Sequence, residues 1–420
     1  MEKVKMKSMR DVDYKGKSVL LRLDINSPID PVSKKIVNEN RLEKSVPTIQ
    51  YLLDSGAKVA IIAHQGDTLD YQNLISMEEH AEIFGRLAGR AIGYIDDVCG
   101  PAAIDAVKSL KEGEAILLGN LRYLTEEISH FEKVVSLTPK QMTDCWLVRK
   151  LAPLFDYYVN DAFSAAHRAC PSMVAFQEVL PSAAGDLLFT EYSTLSKVQR
   201  NPAHPSVFVL GGAKISDAFG MMEQVLANGT ADRILTTGVT GAVFLLASGV
   251  KIGKQYEDWL AGKDFLGFVE PAKEYLAKYG DKIEMPRDLA YAVDGVRLEI
   301  DVADLPKDDA SFLDIGQKTQ DDYREIILEA KTLFANGPAG VYEEKIFTNG
   351  TNACWTAIGD SEGFSVIGGG DTVSSAAQFI DLSKISYVCT AGGAMVQFMT
   401  GKTLPLIAAM ETAYSKEEQN

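Results

Sequence analysis

Short, continuously apolar runs recur along the chain, each followed by glycine or a polar residue and then by a stretch of helical periodicity. They lie at 18–23, 58–63, 115–118, 157–159, 206–210, 233–236, 332–335, 364–367 and 387–389. Runs that are apolar throughout, rather than alternating, predict strands buried on both faces. Interleaved with helices, they predict parallel α/β sheets. The runs exceed one comfortable sheet, and 420 residues at roughly 100–200 per domain give the same expectation of at least two domains.

The best boundary lies between 184 and 206. Gly185 starts an amphipathic stretch that predicts a helix over 186–198, and Asn201-Pro202-Ala203-His204-Pro205 ends it, because neither proline continues a helix. A helix between two sheets serves as a stiff connector. The expected layout is a lobe over 1–185, a hinge helix and linker over 186–205, a second lobe over 206–404, and a tail over 405–420. No internal repeat or low-complexity tract is present. The stretch 252–287 is charged and aromatic without a chemical motif, and the end from Ser415 to Asn420 reads as solvated.

Composition narrows the partners. Apolar residues at 46% and charged residues at 24% exclude a mostly disordered chain. Against 42 basic residues stand 58 acidic ones, a net charge of −16, which disfavours non-specific binding to nucleic acid or a membrane surface. Anions can be held only where basic residues converge. No uncharged apolar stretch reaches the roughly 18 residues of a membrane span. The charged start and the arrest of the first apolar run at Arg22 argue against a signal peptide. Five scattered cysteines without a C-x-x-C pair read as reduced thiols, hence a cytoplasmic protein.

In open α/β sheets ligands bind beyond the carboxyl ends of strands, so the residues after each run are the candidates. In the first half these are Asp24 and Asn26, His64, Asn120 and Arg122, and Asp161 with His167 and Arg168; Arg41 opens a helix. A single arginine is more often a surface ion pair. Three of them with carboxylate and amide neighbours make a pocket for a small polyanion, because the guanidinium fork matches carboxylate and phosphate oxygens. In the second half the strand ends are glycine-rich: Gly211-Gly212-Ala213-Lys214, Gly238, Asn336-Gly337-Pro338, Gly368-Gly369-Gly370-Asp371-Thr372 and Ala391-Gly392-Gly393. Glycine lets backbone N–H groups approach phosphate, and a following helix adds its positive N-terminal dipole. For Gly211-Gly212 alone a tight turn is the better explanation. Asp371 beside the triple glycine suits a magnesium-linked position, since Mg²⁺ takes few protein carboxylates.

Other signatures are missing. Gly401-Lys402-Thr403 resembles the end of a P-loop, but Val396 stands where its first glycine belongs, and the triplet reads as following a helix. There is no G-x-G-x-x-G fingerprint and no metal-ligand spacing of His and Cys. His80, His130 and His204 have no motif context and are expected at the surface.

With those residues in view, the chain resembles the phosphoglycerate kinase family nearly end to end. The matching segments are Arg22-Leu23-Asp24-Ile25-Asn26-Ser27-Pro28, Asn120-Leu121-Arg122, Asp161-Ala162-Phe163 with Ala166-His167-Arg168, and Gly211-Gly212-Ala213-Lys214. They continue with Asn336-Gly337-Pro338-Ala339-Gly340-Val341-Tyr342-Glu343 and Gly368-Gly369-Gly370-Asp371-Thr372. The spelling around 157–176, and Asp314-Ile315-Gly316-Gln317-Lys318-Thr319, resembles the archaeal branch.

The resemblance implies two Rossmann-like lobes with mainly parallel sheets, a helical hinge, and a C-terminus packed back on the first lobe. It implies reversible Mg²⁺-dependent phosphoryl transfer between ATP and the carboxylate of 3-phosphoglycerate, in glycolysis or gluconeogenesis, by a monomer or a homodimer. It implies that Asp24, Asn26, Arg41, His64, Arg122 and Arg168 hold the acid. Gly211, Ala213, Lys214, Gly238, Asn336, Pro338, Glu343, Gly370, Asp371 and Thr372 would hold the nucleotide, with Glu343 at the ribose and Asp371 at the metal, directly or through water. Arg41, Lys214, Gly370 and Gly393 would be the catalytic set. The chemistry agrees: a substrate carboxylate is already ionised near pH 7 and needs no general base. Catalysis then rests on positioning and positive groups, and closure of the lobes would exclude water.

The chain departs from the family pattern at three places. Asp67 and Thr68 replace the arginine and proline that follow the family's histidine, Ala218 stands where many members carry another lysine, and Ala391 replaces a glycine. The first reverses a charge expected at the substrate's remote phosphate. Two alternatives therefore stand beside the leading reading: a related enzyme phosphorylating a different small carboxylic acid, and a weakly catalytic nucleotide-binding regulator. Retention of Arg41, Lys214 and Asp371 weighs against the second.

Overall fold

The structure is a computed structural model, and it describes residues 4–66 and 74–418. The chain divides into two compact units, 1–193 with 403–420, and 194–402. The division falls inside the helix Asp186–Arg200, two residues longer than the predicted 186–198.

The first unit is built on six parallel strands: β1 (Ser18–Arg22), β2 (Lys58–Ile62), β3 (Ile92–Tyr94), β4 (Ala115–Leu117), β5 (Tyr157–Asn160) and β6 (Ser182–Ala184). Their order is β3-β4-β2-β1-β5-β6. Central β1 pairs with β2 through Arg22↔Ile62 and with β5 through Arg22↔Asn160. Four of the five residues of β1 are buried, as for a strand covered on both faces. The covering helix Asn40–Asp54 buries Leu42, Ser45, Ile49, Leu52 and Leu53, the spacing of one helical face. The helix Pro405–Glu417 closes this unit: the Leu406 N–H donates to the Ala166 carbonyl at 3.1 Å, and Leu406, Ile407 and Met410 are buried.

The second unit carries β7 (Ser206–Leu210), β8 (Arg233–Thr236), β9 (Ile283–Glu284), β10 (Asp288–Val293), β11 (Val296–Asp301), β12 (Asp314–Ile315), β13 (Thr332–Asn336), β14 (Phe364–Ile367) and β15 (Tyr387–Val388). Six of these form a parallel sheet, β15-β14-β13-β7-β8-β9, and three form a small antiparallel one, β11-β10-β12. Apolar runs did not announce the small sheet, because β11 is mostly solvent-facing. A subtler signal was present: β10 and β11 are joined by Asp294-Gly295, both at positive φ (48° and 76°), the two-residue hairpin turn that Asp-Gly favours.

Strand order in each sheet reverses next to its first strand, between β1 and β5 and between β7 and β13. Chain segments leaving the two strands at such a point diverge and open a crevice at the carboxyl ends. Asp24 and Ser164 follow β1 and β5; Gly211 and Gly337 follow β7 and β13.

Candidate functional site

In the first unit the side chains after β1, β2, β4 and β5 meet. Asp24 is buried; its carboxylate accepts from Arg41 Nη1 at 2.7 Å, from the Ser164 hydroxyl, and from the Asn26 N–H at 3.2 Å. Burial works to raise its pKa, but Arg41 first, with the Ser164 hydroxyl and Arg22, outweighs that and holds it below the usual carboxylate range. Asp24 is therefore an ionised anchor that aims Arg41.

His64 is buried, and its Nδ1 lies 3.0 Å from Arg22 Nη2. Burial first, then Arg22, Arg122 and Arg168, push the imidazole well below its ordinary value against the opposing pull of Asp24. The ring is neutral. Arg122 gives Nη1 to the Glu127 carbonyl at 2.9 Å, and burial lowers its pKa, with Arg168 adding. Arg168 is clasped by Glu132, Nε to Oε1 at 2.8 Å and Nη2 to Oε1 at 2.6 Å. Burial lowers its pKa, but the hydrogen bond to Glu132 prevails and raises it on balance.

Asn120 ties the loops that present these groups. Its Oδ1 accepts from the Gln65 and Arg122 N–H groups at 3.2 and 3.0 Å, and its Nδ2 donates to the Gln65 and Ile75 carbonyls at 2.9 and 3.0 Å. Gln65 exchanges two bonds with the Ser27 backbone and accepts from His80 Nε2 at 3.0 Å. His80 corrects an expectation: it is fully buried, and burial pushes its pKa down to about 4. It braces the loop after β2 from the helix Glu78–Ala88. His130 and His204 are exposed, as expected.

All six residues expected to hold the acid belong to this unit. His64 feels Asp24, Arg122 and Arg168, Arg41 is bonded to Asp24, and Asn26 Oδ1 accepts from the Gly66 N–H at 3.1 Å. Arg22, Gln65 and Ser164 escaped the sequence reading as site residues. Arg22 ends an apolar strand, and nothing in its spacing shows which way it turns. Asp67 and Thr68 lie outside the described residues.

The second unit contains a cavity of about 610 Å³. Every residue expected to hold nucleotide lines it, as does Gly393. Its floor is backbone. The Gly211 N–H donates to the Asn336 carbonyl at 3.0 Å, and the Gly212 N–H to the Pro338 carbonyl at 2.8 Å. Gly337 has φ +90°, and a Cβ there would strike the Gly211 carbonyl. The two loops thus lie closer than any side chain allows. Thr372 pins the loop after β13, accepting from the Gly337 N–H at 2.9 Å. Gly370 and Gly393 stand in the first turns of the helices Gly370–Phe379 and Gly392–Met399, with open space where a Cβ would be. Their N-terminal amides suit phosphate oxygens.

Lys214 Nζ stands 3.6 Å from Asp371 Oδ2, and both side chains are about three-quarters exposed at 73% and 74%. Such a pair contributes little to stability and leaves both groups available. Among the described residues no group of three or more His, Cys, Asp or Glu is arranged to hold a metal ion. A lone exposed carboxylate next to phosphate-seeking amides fits magnesium carried on nucleotide phosphates, not a metal caged by the protein. Ala218 is buried on the helix Ile215–Ala227, and Ala391 is buried just ahead of Gly392. Neither offers a charge to the cavity.

The opposite wall is apolar: Tyr256, Trp259, Pro286, Leu289 and Phe312. Tyr256 stacks on Trp259 with centroids 5.5 Å apart and meets Phe312 edge-on at 5.7 Å. The sequence reading passed over this wall, because its aromatics come from an unassigned stretch and from the loop before β12.

The family model for phosphoglycerate kinase matches residues 9–402. The phosphoglycerate kinase of Methanothermus fervidus is 41% identical over 415 residues, covering 99% of each chain. That of Thermococcus kodakarensis is 42% identical over 411 residues, covering 97% of each. Among solved structures, phosphoglycerate kinase from Pyrococcus horikoshii superposes with a TM-score of 0.83 at 37% identity, over 98% of this chain and 100% of that one. The enzyme from Coxiella burnetii gives 0.82 at 28%, over 97% and 99%.

Proposed function

The chain belongs to the phosphoglycerate kinase family, and from that premise we propose that the unit containing Asp24 and Arg41 binds 3-phosphoglycerate while the unit containing Lys214 and Asp371 binds ATP with magnesium. The enzyme is a phosphotransferase acting on a carboxyl group. A carboxylate oxygen of the acid attacks the γ-phosphorus, the bond to the β–γ bridging oxygen breaks, and ADP leaves with an acyl phosphate as the other product. No proton moves, because the attacking carboxylate is already ionised.

The chain's own groups then position reactants and stabilise charge. Arg41, aimed by ionised Asp24, meets the acid. Neutral His64, Arg122, Arg168 and Asn26 orient it. Lys214 and the amides at Gly370 and Gly393 face the transferring phosphoryl group. Asp371 would hold the magnesium, directly or through water, with Thr372 at the nucleotide, and the metal would neutralise phosphate charge. Glu343 is exposed beside the cavity and suits the ribose hydroxyls, and the aromatic wall suits the base. The scattered cysteines, none of them in a disulfide, support a cytoplasmic enzyme; among the described residues no helix is long and apolar enough to cross a membrane.

The observation that carries this reading is that one chain pairs a glycine-floored cavity ending in Lys214 and Asp371 with a cluster of buried and half-buried arginines around Asp24. Incubation with ATP, Mg²⁺ and 3-phosphoglycerate in the presence of hydroxylamine should yield a hydroxamate from the acyl phosphate. Formation of a stable phosphate ester, or ADP without hydroxamate, would remove the proposed chemistry.

One observation favours a second reading, in which the acceptor carries less negative charge at its far end. Asp67 and Thr68 stand where the family has arginine and proline, and 65–80 contains no lysine or arginine. A panel of carboxylic acids with and without a terminal phosphate separates the two readings: a higher kcat/KM for an unphosphorylated acid selects the second.

A further inference from the structure

We infer that Arg22 is a positioning residue that fixes His64 as the neutral tautomer with its proton on Nε2, so that the ring meets the acid substrate only as a hydrogen-bond donor. The inference rests on the acid-site reading above and adds to it a residue and a protonation state.

A guanidinium has donors and no acceptor, and it stays protonated in proteins. Arg22 Nη2 lies 3.0 Å from His64 Nδ1, so Nδ1 must supply a lone pair. The one proton of a neutral imidazole is then on Nε2. Protonation of Nδ1 would set two donors face to face in a buried site.

Arg22 is itself fixed. Only 2% of it is exposed. Its Nε donates to the Ser172 hydroxyl at 3.1 Å, and its Nη1 to the Leu23 carbonyl. The Ser172 hydroxyl donates onward to Glu127 Oε2 at 2.6 Å, and the Ser172 N–H to Glu127 Oε1 at 2.7 Å. A buried carboxylate two contacts away thus balances the buried guanidinium, and Arg22 points at the imidazole with no freedom to turn. The strand register places it there, since the last residue of β1 lies beside the last of β2, two residues before His64.

The charges facing His64 are Arg22, Arg122 and Arg168 against Asp24. Burial and the three arginines favour the neutral ring. Without Arg22, Asp24 would compete to hold the ring protonated. Arg22 therefore keeps His64 from titrating where the enzyme works, and the donor at Nε2 does not change with pH.

The test begins on the unmodified enzyme. Nitrogen-15 NMR of histidine-labelled protein, with the His64 signal assigned by its loss in His64→Gln, should show Nε2 protonated and Nδ1 bare from pH 8 to pH 6. An Nδ1–H tautomer or an imidazolium in that range overturns the inference. Arg22→Lys keeps a cation beside Glu127 but loses the fork. It should raise KM for the acid about 10-fold, with nucleotide KM and kcat at saturation nearly unchanged, and His64 should gain an imidazolium signal as pH falls to 6. A purely structural role would instead lower thermal stability and kcat and leave the tautomer alone. Should the variant fold poorly, Ser172→Ala loosens Arg22 without removing charge and should mix the two tautomers; an unmixed Nε2–H signal counts against the inference. His64→Gln separates it from its premise: an unchanged acid KM overturns the acid-site reading and this inference with it, whereas a raised KM with the wrong tautomer overturns this inference alone.

Discussion

The two units carry the same kind of parallel sheet and the same reversal of strand order beside their first strand, yet they build opposite kinds of site there. In the first, the proposed acid site is made of buried and half-buried charged side chains held by other side chains: Asp24 aims Arg41, Arg22 aims His64, Asn120 and Gln65 tie the loops. In the second, the proposed nucleotide site is made mainly of backbone: glycines that approach too closely for side chains, and two helix N-termini, facing an apolar wall. A small polyanion without an extended apolar surface must be read by charge and fork geometry. A nucleotide offers a flat apolar base and a phosphate chain, which backbone amides and aromatic faces suit. Sensitivity to substitution should divide accordingly, and the following experiments probe that division.

The largest effect is expected from Arg41→Ala and Lys214→Ala, one cation from each unit. Each should lower kcat by about 10²–10³ through loss of a charge-stabilising donor, with a smaller change in nucleotide Kd. Equal losses in nucleotide affinity, with turnover intact at saturation, would erase the contrast between side-chain and backbone recognition. Gly337→Ala attacks the backbone floor instead. A left-handed φ and a collision with the Gly211 carbonyl should cost about 2–4 kcal/mol, on the order of 10² in nucleotide affinity. Calorimetry should find acid binding unaltered; a tolerated alanine would show that the glycines only permit turns.

Next in size is Asp67→Arg, which supplies the charge that the family places there. If a phosphorylated acid is the substrate, its KM should fall by about 10–150-fold, the worth of a charge-assisted hydrogen bond, with no gain for unphosphorylated acids. No change in either KM would put Asp67 outside acid recognition.

The smallest effect concerns the frame of the first site. Asp161 follows β5 and accepts from the Thr48 hydroxyl at 2.6 Å and the Leu188 N–H at 2.9 Å, and burial pushes its pKa up to about 7. A carboxyl raised on folding contributes stability that is complete below its unfolded pKa, near 4, and is lost as pH rises through 7. Asp161→Asn should remove roughly 1–4 kcal/mol of the change in stability between pH 4 and pH 7 while leaving activity largely intact. Urea midpoints of both proteins across that range check the sign; parallel curves would mean Asp161 does not titrate there.

How much was legible in the sequence follows the same division. The glycine clusters were readable as a set, though not Gly211-Gly212 alone, because a backbone site needs glycine at fixed places in the chain, and each cluster contributes residues to the cavity. The arginines and Asp24 were readable as strand-end residues. Arg22, Gln65 and His80 were not, because their importance lies in partners 42, 38 and 15 residues away. The helical period that hides His80 among polar neighbours gives no hint that its face is covered. The aromatic wall was missed for a related reason: Tyr256 meets Phe312, 56 residues further along the chain and just ahead of the last strand of the small antiparallel sheet, and that sheet's exposed strand lacks an apolar run.

Residues 403–420 belong to the first unit although about 200 residues of the second come between. At the ribosome's pace of roughly 5–20 residues per second, that separation is ~10–40 s during which the first sheet exists without its closing helix. Leu406, Ile407 and Met410, buried in the finished protein, have not yet been made, and neither have the partners of Lys7, Tyr192 and Glu178 in that helix, which are Glu417, Glu411 and Lys416. The nascent chain should thus hold its first unit in a protease-sensitive state until residues 403–420 have been made and have emerged, while the uninterrupted second unit becomes resistant earlier. Ribosome-stalled chains carrying residues 1–402 or 1–420, each followed by a flexible linker long enough to clear the exit tunnel and digested briefly, should differ in protection of the first unit and agree in the second; equal protection of the first unit in both would show that it folds without its last helix.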